Sequence, residues 1–261
     1  MKGGDVLILT VDIGNTTISL GGFDSDKLCF FSKISTDCKK TEDEYAVSIL
    51  DSLRLHSIDK CSVEGVIVAS VVPPLNAVIK NAVKFLFGKE AVFVGPGIKT
   101  GISIKCDSPA SVGADLISAS VAVHSIYGGP SLIIDIGTAT KMTVIDKNGT
   151  FIGTSIIPGV AMGLDSLAEH TAQLPKISLE LPKSVIAKNT ADCMRSGVIF
   201  GNACMIDGMI DRINNEAGEM LKLYATGGLA HMIIPLCDHK IQIDEHLVLK
   251  GLNILYRKNK I

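Results

Sequence analysis

The feature that most constrains the fold is a passage that occurs twice. Residues 9–17 read LTVDIGNTT and residues 132–140 read LIIDIGTAT, so Asp135 follows Asp12 by 123 residues. That offset is close to half of the 261-residue chain, which points to duplication into two similar lobes and away from a solenoid of short repeats. Each copy passes from an apolar stretch through a polar turn into a second apolar stretch. The first runs Val6 to Val11, then Asp12 to Asn15, then Thr17, Ile18 and Leu20; the second runs Leu132 to Ile134, then Asp135 to Thr140, then Met142 to Ile145. Both read as strand, turn, strand.

Strands and helices alternate between and after the two copies. The pattern predicts a helix over 41–56, a strand over 65–71 and a helix after Pro73-Pro74, where proline suits the first helical turn. Ser108-Pro109 reads as a cap followed by proline, and Val112, Leu116, Ala119 and Val123 then make an apolar stripe at helical spacing. Asp115 lies off that stripe, which turns it towards a cleft or solvent. Downstream the pattern predicts a strand over 153–157, a helix after Pro158-Gly159, a long helix over 190–220 and a strand over 221–225. Alternation of this kind argues an α/β protein, with one lobe over 1–110 and a second over 111–261.

Composition narrows the classes further. Hydrophobic residues make up 47% of the chain, aromatic residues only 5%, tryptophan is absent and the mean hydropathy is +0.37, so small aliphatic side chains must fill the interior. Buried parallel strands, or a buried subunit interface, account for that surplus. The balance of 25 basic against 27 acidic residues does not advertise a nucleic-acid-binding face by net charge, which leaves room only for a local basic patch. Seven scattered cysteines, odd in number and without a Cys-x-x-Cys pair, read as thiols of a reducing compartment. The opening MKGGDVLILTVD reads as a first strand and not a signal peptide, and no apolar run reaches the roughly 20 residues of a membrane span, so a cytoplasmic protein is expected.

The chemistry concentrates in the turns. Asp12 to Thr17 sets a carboxylate, a glycine and three polar side chains between two strands, a means of presenting N–H groups and hydroxyls to a phosphate while the carboxylate holds a cation. Ordinary turns use the same residues, but the second copy favours function, because two such turns facing across a cleft can grip a nucleotide polyphosphate. Thr226-Gly227-Gly228 follows a predicted strand and either lets backbone approach a flat ligand such as a nucleoside or is a plain turn. The six histidines show no metal-ligand spacing, and Cys204 to Ile210 reads as an apolar helix face in the core or at an interface.

Taken in order, these elements resemble the actin, sugar-kinase and heat-shock-chaperone ATPase superfamily, and within it the chain is similar to type III pantothenate kinases. The resemblance runs over essentially the whole length: Asp12-Ile13-Gly14-Asn15-Thr16, Ala69 to Pro73, Gly95 to Gly101, Gly113-Ala114-Asp115, Asp135 to Thr140, Pro158-Gly159, Gln173-Leu174-Pro175, Asn189-Thr190 and Thr226-Gly227-Gly228. It implies two similar ribonuclease H-like lobes with a nucleotide cleft between them. It implies a homodimer that phosphorylates pantothenate with ATP and Mg2+ to give 4'-phosphopantothenate, the first step towards coenzyme A, with a monovalent cation such as potassium or ammonium. Nucleic acid and membrane are not among the implied partners.

Residue by residue, the resemblance places ATP on Asp12, Ile13, Gly14, Asn15, Thr16, Thr17, Ile18, Ser19 and Thr138, adenosine at Gly227 and Gly228, and the monovalent cation on Asp135. It places pantothenate near Cys106, Gly113, Ala114, Leu116 and Thr190, with Asp115 as substrate contact and general base. Phosphoryl transfer asks mainly for alignment and charge neutralisation, which suits a site rich in Asp, Thr and Gly.

Three positions depart from the family pattern. Leu116 stands where arginine follows Gly-Ala-Asp, and losing that fixed fork of donors removes several kcal/mol of carboxylate or phosphate binding, on the order of 2–5, unless another cation such as Arg195 compensates. Cys106 stands where tyrosine is common, and Lys141 where threonine is usual; Lys141 reads as a solvated strand lysine. Because the changes gather on the acceptor side, two alternatives stay open: a nucleotide-binding regulatory relative without efficient turnover, and a kinase for another small alcohol.

Overall fold

The computed structural model describes residues 6–260. In chain order the elements are β1 Leu7–Ile13, β2 Thr17–Asp24, β3 Lys27–Ser35, α1 Glu42–Leu55, β4 Val63–Ser70, α2 Pro74–Phe87, β5 Val92–Phe93, β6 Ser103–Ile104 and α3 Ala114–Ile126. Then follow β7 Ser131–Ile136, β8 Ala139–Ile145, β9 Thr150–Pro158, α4 Val160–Glu169, α5 Thr190–Ala217, β10 Lys222–Thr226, α6 Ala230–Ile233, β11 Gln242–Ile243 and α7 Leu247–Lys258.

The duplication read from the two turns is realised in sheet topology. One sheet has the order β3-β2-β1-β4-β5; β1–β2 and β2–β3 are antiparallel, and β1–β4 and β4–β5 are parallel. The other, apart from its edge strand β6, has the order β9-β8-β7-β10-β11 with the same alternation of directions. Both are the ribonuclease H-like arrangement, and β1 and β7, which lead into the repeated turns, sit at the centre of each. A central strand is buried on both faces, which is why LILTVDI and SLIIDI are nearly continuous apolar runs.

The chain divides into two compact units. The first holds residues 6–103, Asp107–Ile126 and 247–260; the second holds Ile104–Cys106 and Tyr127–His246. Set beside the expected lobes of 1–110 and 111–261, the first unit is drawn from three stretches of chain. In it, α1 and α2 cover one face of the sheet, with Tyr45, Ile49, Leu53, Leu75, Ile79 and Val83 against Leu9, Val11, Ile13, Val66 and Val68. The other face receives α7, whose Leu249 meets Gly21 and whose Tyr256 lies over Gly65, while Gly251 lets α7 close on the Ser118 backbone of α3. The core of the second unit joins Leu132, Ile134 and Ile136 to Ile199, Ile206 and Ile210 of α5.

Helix ends follow the local signals. Thr41 and Glu44 form a reciprocal capping box at the start of α1, and α2 begins at Pro74 and ends on Gly88 in the left-handed region at φ 65°. The stretch expected to be helical to residue 220 stops at Ala217, because Gly218 at φ 71° closes α5.

The start of α3 differs from expectation. Ser108 makes no capping bond; Pro109–Ser111 is a short 3-10 turn, and the helix proper begins at Ala114. Residues 114–123 are all buried, so there is no exposed polar face opposite a stripe. Apart from Asp115, residues 114–123 are Ala, Ile, Leu, Val and Ser, and a helix with so little polar surface is buried all round. Among the described residues, no helix is long and apolar enough to cross a membrane. None of the seven cysteines is in a disulfide.

Candidate functional site

In the first unit the β1–β2 turn is held at both ends. Gly14 N–H donates to the Thr17 carbonyl at 3.0 Å, and Thr36, just beyond β3, donates its hydroxyl to the Gly14 carbonyl at 2.7 Å and its N–H to the Thr16 carbonyl at 3.0 Å. Thr36 carries no sequence signal of this role; the register of β3 against β2 brings it there. The pinned turn leaves Asn15, Thr16 and Thr17 exposed, in the polar form a polyphosphate requires. Asp12 and Ser19 are directly paired and half-buried beside it. Ile13 and Ile18 are fully buried in the core, so their side chains are not ligand contacts and only their backbone is at the turn.

Asp115 belongs to the same end of that sheet. β1 and β4 are parallel, so both finish at one edge, where Val71 N–H donates to the Ile13 carbonyl at 3.0 Å. Gly113 packs there: a Cβ on it would meet Val71 at 3.7 Å and collide with the Asp115 carboxylate, which folds back over it. Asp115 is only 8% exposed, and its Oδ1 accepts the Leu116 N–H at 2.9 Å, so it does not face open solvent. The first turn and a buried carboxylate thus share the carboxyl edge of parallel strands, where α/β proteins place ligands.

In the second unit the equivalent turn is shorter by one residue. Gly137 N–H donates to the Ala139 carbonyl at 3.2 Å, and Asp135 pairs directly across the strands with Lys141. The Lys141 ammonium lies 2.8 Å from Asp135 Oδ2, with the two side chains 19% and 18% exposed. Lys141 is therefore not the solvated strand lysine expected from sequence; its stem folds back over its cross-strand partner.

The Gly-Gly turn is built onto this same carboxylate. Thr226 pairs with Asp135 in the parallel β10–β7 ladder, Leu229 N–H donates to the Ile136 carbonyl at 3.1 Å, and Gly227 has φ +96°. A Cβ on Gly227 would meet Asp135 Oδ1 at 2.6 Å and the Ile136 carbonyl at 2.5 Å. Gly159 closes the opposite side, where a Cβ would collide with the Thr138 carbonyl and reach the Gly137 carbonyl at 2.6 Å. Thr138 and Gly228 remain exposed, and Asp135 and Gly227 meet within the second unit.

Thr190 opens α5 at an exposed position. Asn189 caps the helix by accepting the Asp192 N–H at 2.9 Å, and its amide donates to the Asp192 carboxylate at 2.8 Å, which with Arg195 holds that carboxyl below its usual range. A depression of about 190 Å3 adjoins this cap, lined by Lys183, Ser184, Ile186, Ala187, Lys188, Asn189 and Asp192. Arg195 donates to the Ser178 carbonyl and hydroxyl at 3.0 Å each and pairs with Asp192 and Glu180, so its guanidinium anchors the segment before α5. Leu116 and Ala114 are buried at 8% each, and Cys106 is half-buried.

Residues 8–212 match the family model of type III pantothenate kinases. A protein of Moorella thermoacetica named type III pantothenate kinase is 37% identical over 253 residues, covering 97% of this chain and 100% of that protein. A protein of the same name from Geotalea daltonii is 38% identical over 254 residues, covering 97% of this chain and 99% of its own length. Among solved structures, the activator of the 2-hydroxyisocaproyl-CoA dehydratase from Clostridium difficile, with bound ADPNP, matches with a TM-score of 0.58 at 14% identity, over 98% of this chain and 95% of that one. At that identity the likeness is one of fold.

Proposed function

The chain belongs to the type III pantothenate kinase family, and on that premise we propose how its residues divide the work of phosphorylating pantothenate in coenzyme A biosynthesis. The observation that carries the reading is the placement of a buried carboxylate, Asp115, at the same sheet edge as the Asp12–Thr17 turn. The kinase uses ATP with Mg2+.

In the first unit Asp12, Gly14, Asn15, Thr16, Thr17 and Ser19 are the phosphate contacts we assign; in the second, Thr138 is the phosphate contact and Gly227 and Gly228 let backbone approach the adenosine. Asp12, a half-buried carboxylate, is the residue assigned to the magnesium that accompanies ATP. Asp115 orients the acceptor hydroxyl and takes its proton as the phosphoryl group moves, a modest demand when the transition state is loose. Its burial keeps water from competing for that position, so the hydroxyl of the acceptor is the nucleophile presented.

The acceptor contacts that the resemblance implies are Gly113, Ala114 and Leu116 in the first unit and Cys106 and Thr190 in the second. Leu116 brings no charge to the pantothenate carboxylate, and Arg195 is committed to Ser178, Glu180 and Asp192. Lys183 and Lys188, in the depression beside Asn189, supply the cations instead. Leu181, Val185 and Ile186 are exposed by 58%, 65% and 85% in the same segment, an apolar surface that a second copy of the chain covers in a cytoplasmic homodimer. The potassium-like ion that the resemblance sets on Asp135 does not fit, because the Lys141 ammonium already holds Oδ2 of that carboxylate.

An acceptor panel tests the assignment. Mass spectrometry of the product should show one added phosphate on pantothenate, with the amide-capped alcohol lacking the carboxylate used at least tenfold less efficiently. Equal use of both acceptors would remove the lysines from the account; preference for an unrelated alcohol would establish the alternative substrate class.

A further inference from the structure

The molecule contains its own comparison for Lys141. The same strand–turn–strand unit occurs twice, and in both copies the turn carboxylate has a residue directly opposite it on the next strand. Opposite Asp12 that residue is Ser19; opposite Asp135 it is Lys141. A serine brings no charge to the carboxylate opposite it, whereas a lysine stem reaches across the strands and returns its ammonium to Asp135 Oδ2 at 2.8 Å.

This pair is unlike a surface salt bridge. Both side chains are more than four-fifths buried, where screening by solvent and salt is weak. Asp135 Oδ1 is packed under Gly227, whose missing Cβ leaves it room, and Oδ2 faces the ammonium. The carboxylate is thus enclosed between the Gly-Gly turn and a fixed positive charge. A free monovalent cation seeking Oδ2 would meet a like charge at hydrogen-bond distance.

We propose that Lys141 is the resident cation of the second turn, a positioning residue that supplies covalently the charge a monovalent ion would bring to Asp135 and so makes the site independent of potassium. The ammonium neutralises Asp135 and so removes an uncompensated negative charge from beside the exposed Thr138 turn, where it would repel a polyphosphate. Because the charge is tethered, it cannot dissociate and does not follow the ionic composition of the medium. The inference rests on the reading of that turn as a phosphate site.

The test compares potassium, sodium and choline chlorides at one ionic strength, reading ATP affinity by calorimetry and pantothenate turnover separately. The native protein should bind ATP and turn over alike in all three, within about twofold. Lys141→Thr and Lys141→Ala should lose at least tenfold in ATP affinity in choline and recover much of it in potassium or ammonium, and Lys141→Arg should stay indifferent to the salt. Native protein stimulated tenfold or more by potassium overturns the proposal without any variant, and so do neutral variants that bind ATP equally in every salt. ATP affinity that obeys this pattern without pantothenate turnover sustains the role of Lys141 and strikes the acceptor assignment alone. No ATP binding in any salt overturns the phosphate-site reading and the proposal together.

Discussion

Asp12, Asp115 and Asp135 are the same side chain in three environments. Asp12 is half-buried opposite Ser19, Asp115 is buried over Gly113, and Asp135 is enclosed by an ammonium and a glycine turn. Replacing Asp115 by asparagine keeps the shape and removes the proposed proton acceptor, so kcat should fall by about 10²–10⁴ while ATP affinity stays within about twofold; a fall in ATP affinity alone would make Asp115 a nucleotide contact. A fourth carboxylate, Asp244, is 7% exposed and accepts the Tyr127 hydroxyl at 2.8 Å, and Tyr127 stacks on Tyr224 at 4.5 Å. Burial first, and then that hydrogen bond, push the Tyr127 phenol up to about 12. Its neutral form is the one the fold prefers, so its contribution is complete below the ordinary tyrosine value near 10 and is lost as pH rises through about 12. Tyr127→Phe should lower stability by about 1–2 kcal/mol at neutral pH and delete one late step from an absorbance titration of the tyrosines; an unchanged unfolding curve would show that the bond contributes nothing.

At the scale of elements, glycines decide which backbones can meet around the second turn. Gly227 is in the left-handed region and faces Asp135 and the Ile136 carbonyl, whereas a Cβ on Gly228 meets nothing within 4 Å. Gly227→Ala should therefore cost at least about 2 kcal/mol in denaturant unfolding, with Gly228→Ala near neutral as its control; equal effects would refute the close approach. These turns were legible because glycine and acidic residues at a repeated spacing leave few other readings. The partner of Lys141 was not, since a lysine stem can run to solvent or fold back, and the choice depends on a cross-strand register set by a turn one residue shorter than its counterpart. The burial of Asp115 was hidden for a related reason. Val112, Leu116, Ala119 and Val123 suggested one apolar stripe, yet the serines and alanines between them are small enough to be buried too.

At the scale of the whole molecule, local patterns announced the elements and two sheets of one design, while their assembly into units depended on contacts distant in sequence. No local signal says that the last helix completes the first unit. Leu252 and Leu255 of α7 are fully buried, Asn253 donates to the Ser25 carbonyl at 2.9 Å, and Asn259 bonds the Lys99 backbone in both directions. Leu252→Ala should cost about 2–5 kcal/mol, and hydrogen exchange should show β1 and β4 losing protection before β7 and β8. Uniform loss across both sheets would mean that the two units open as one.

The most direct measurement is pantothenate-dependent ADP release by the purified protein with ATP and Mg2+, native and Asp115→Asn side by side. Release that requires pantothenate in the native protein and falls at least a hundredfold in the variant is the predicted result. Release that ignores pantothenate, or that survives in the variant, would contradict the account.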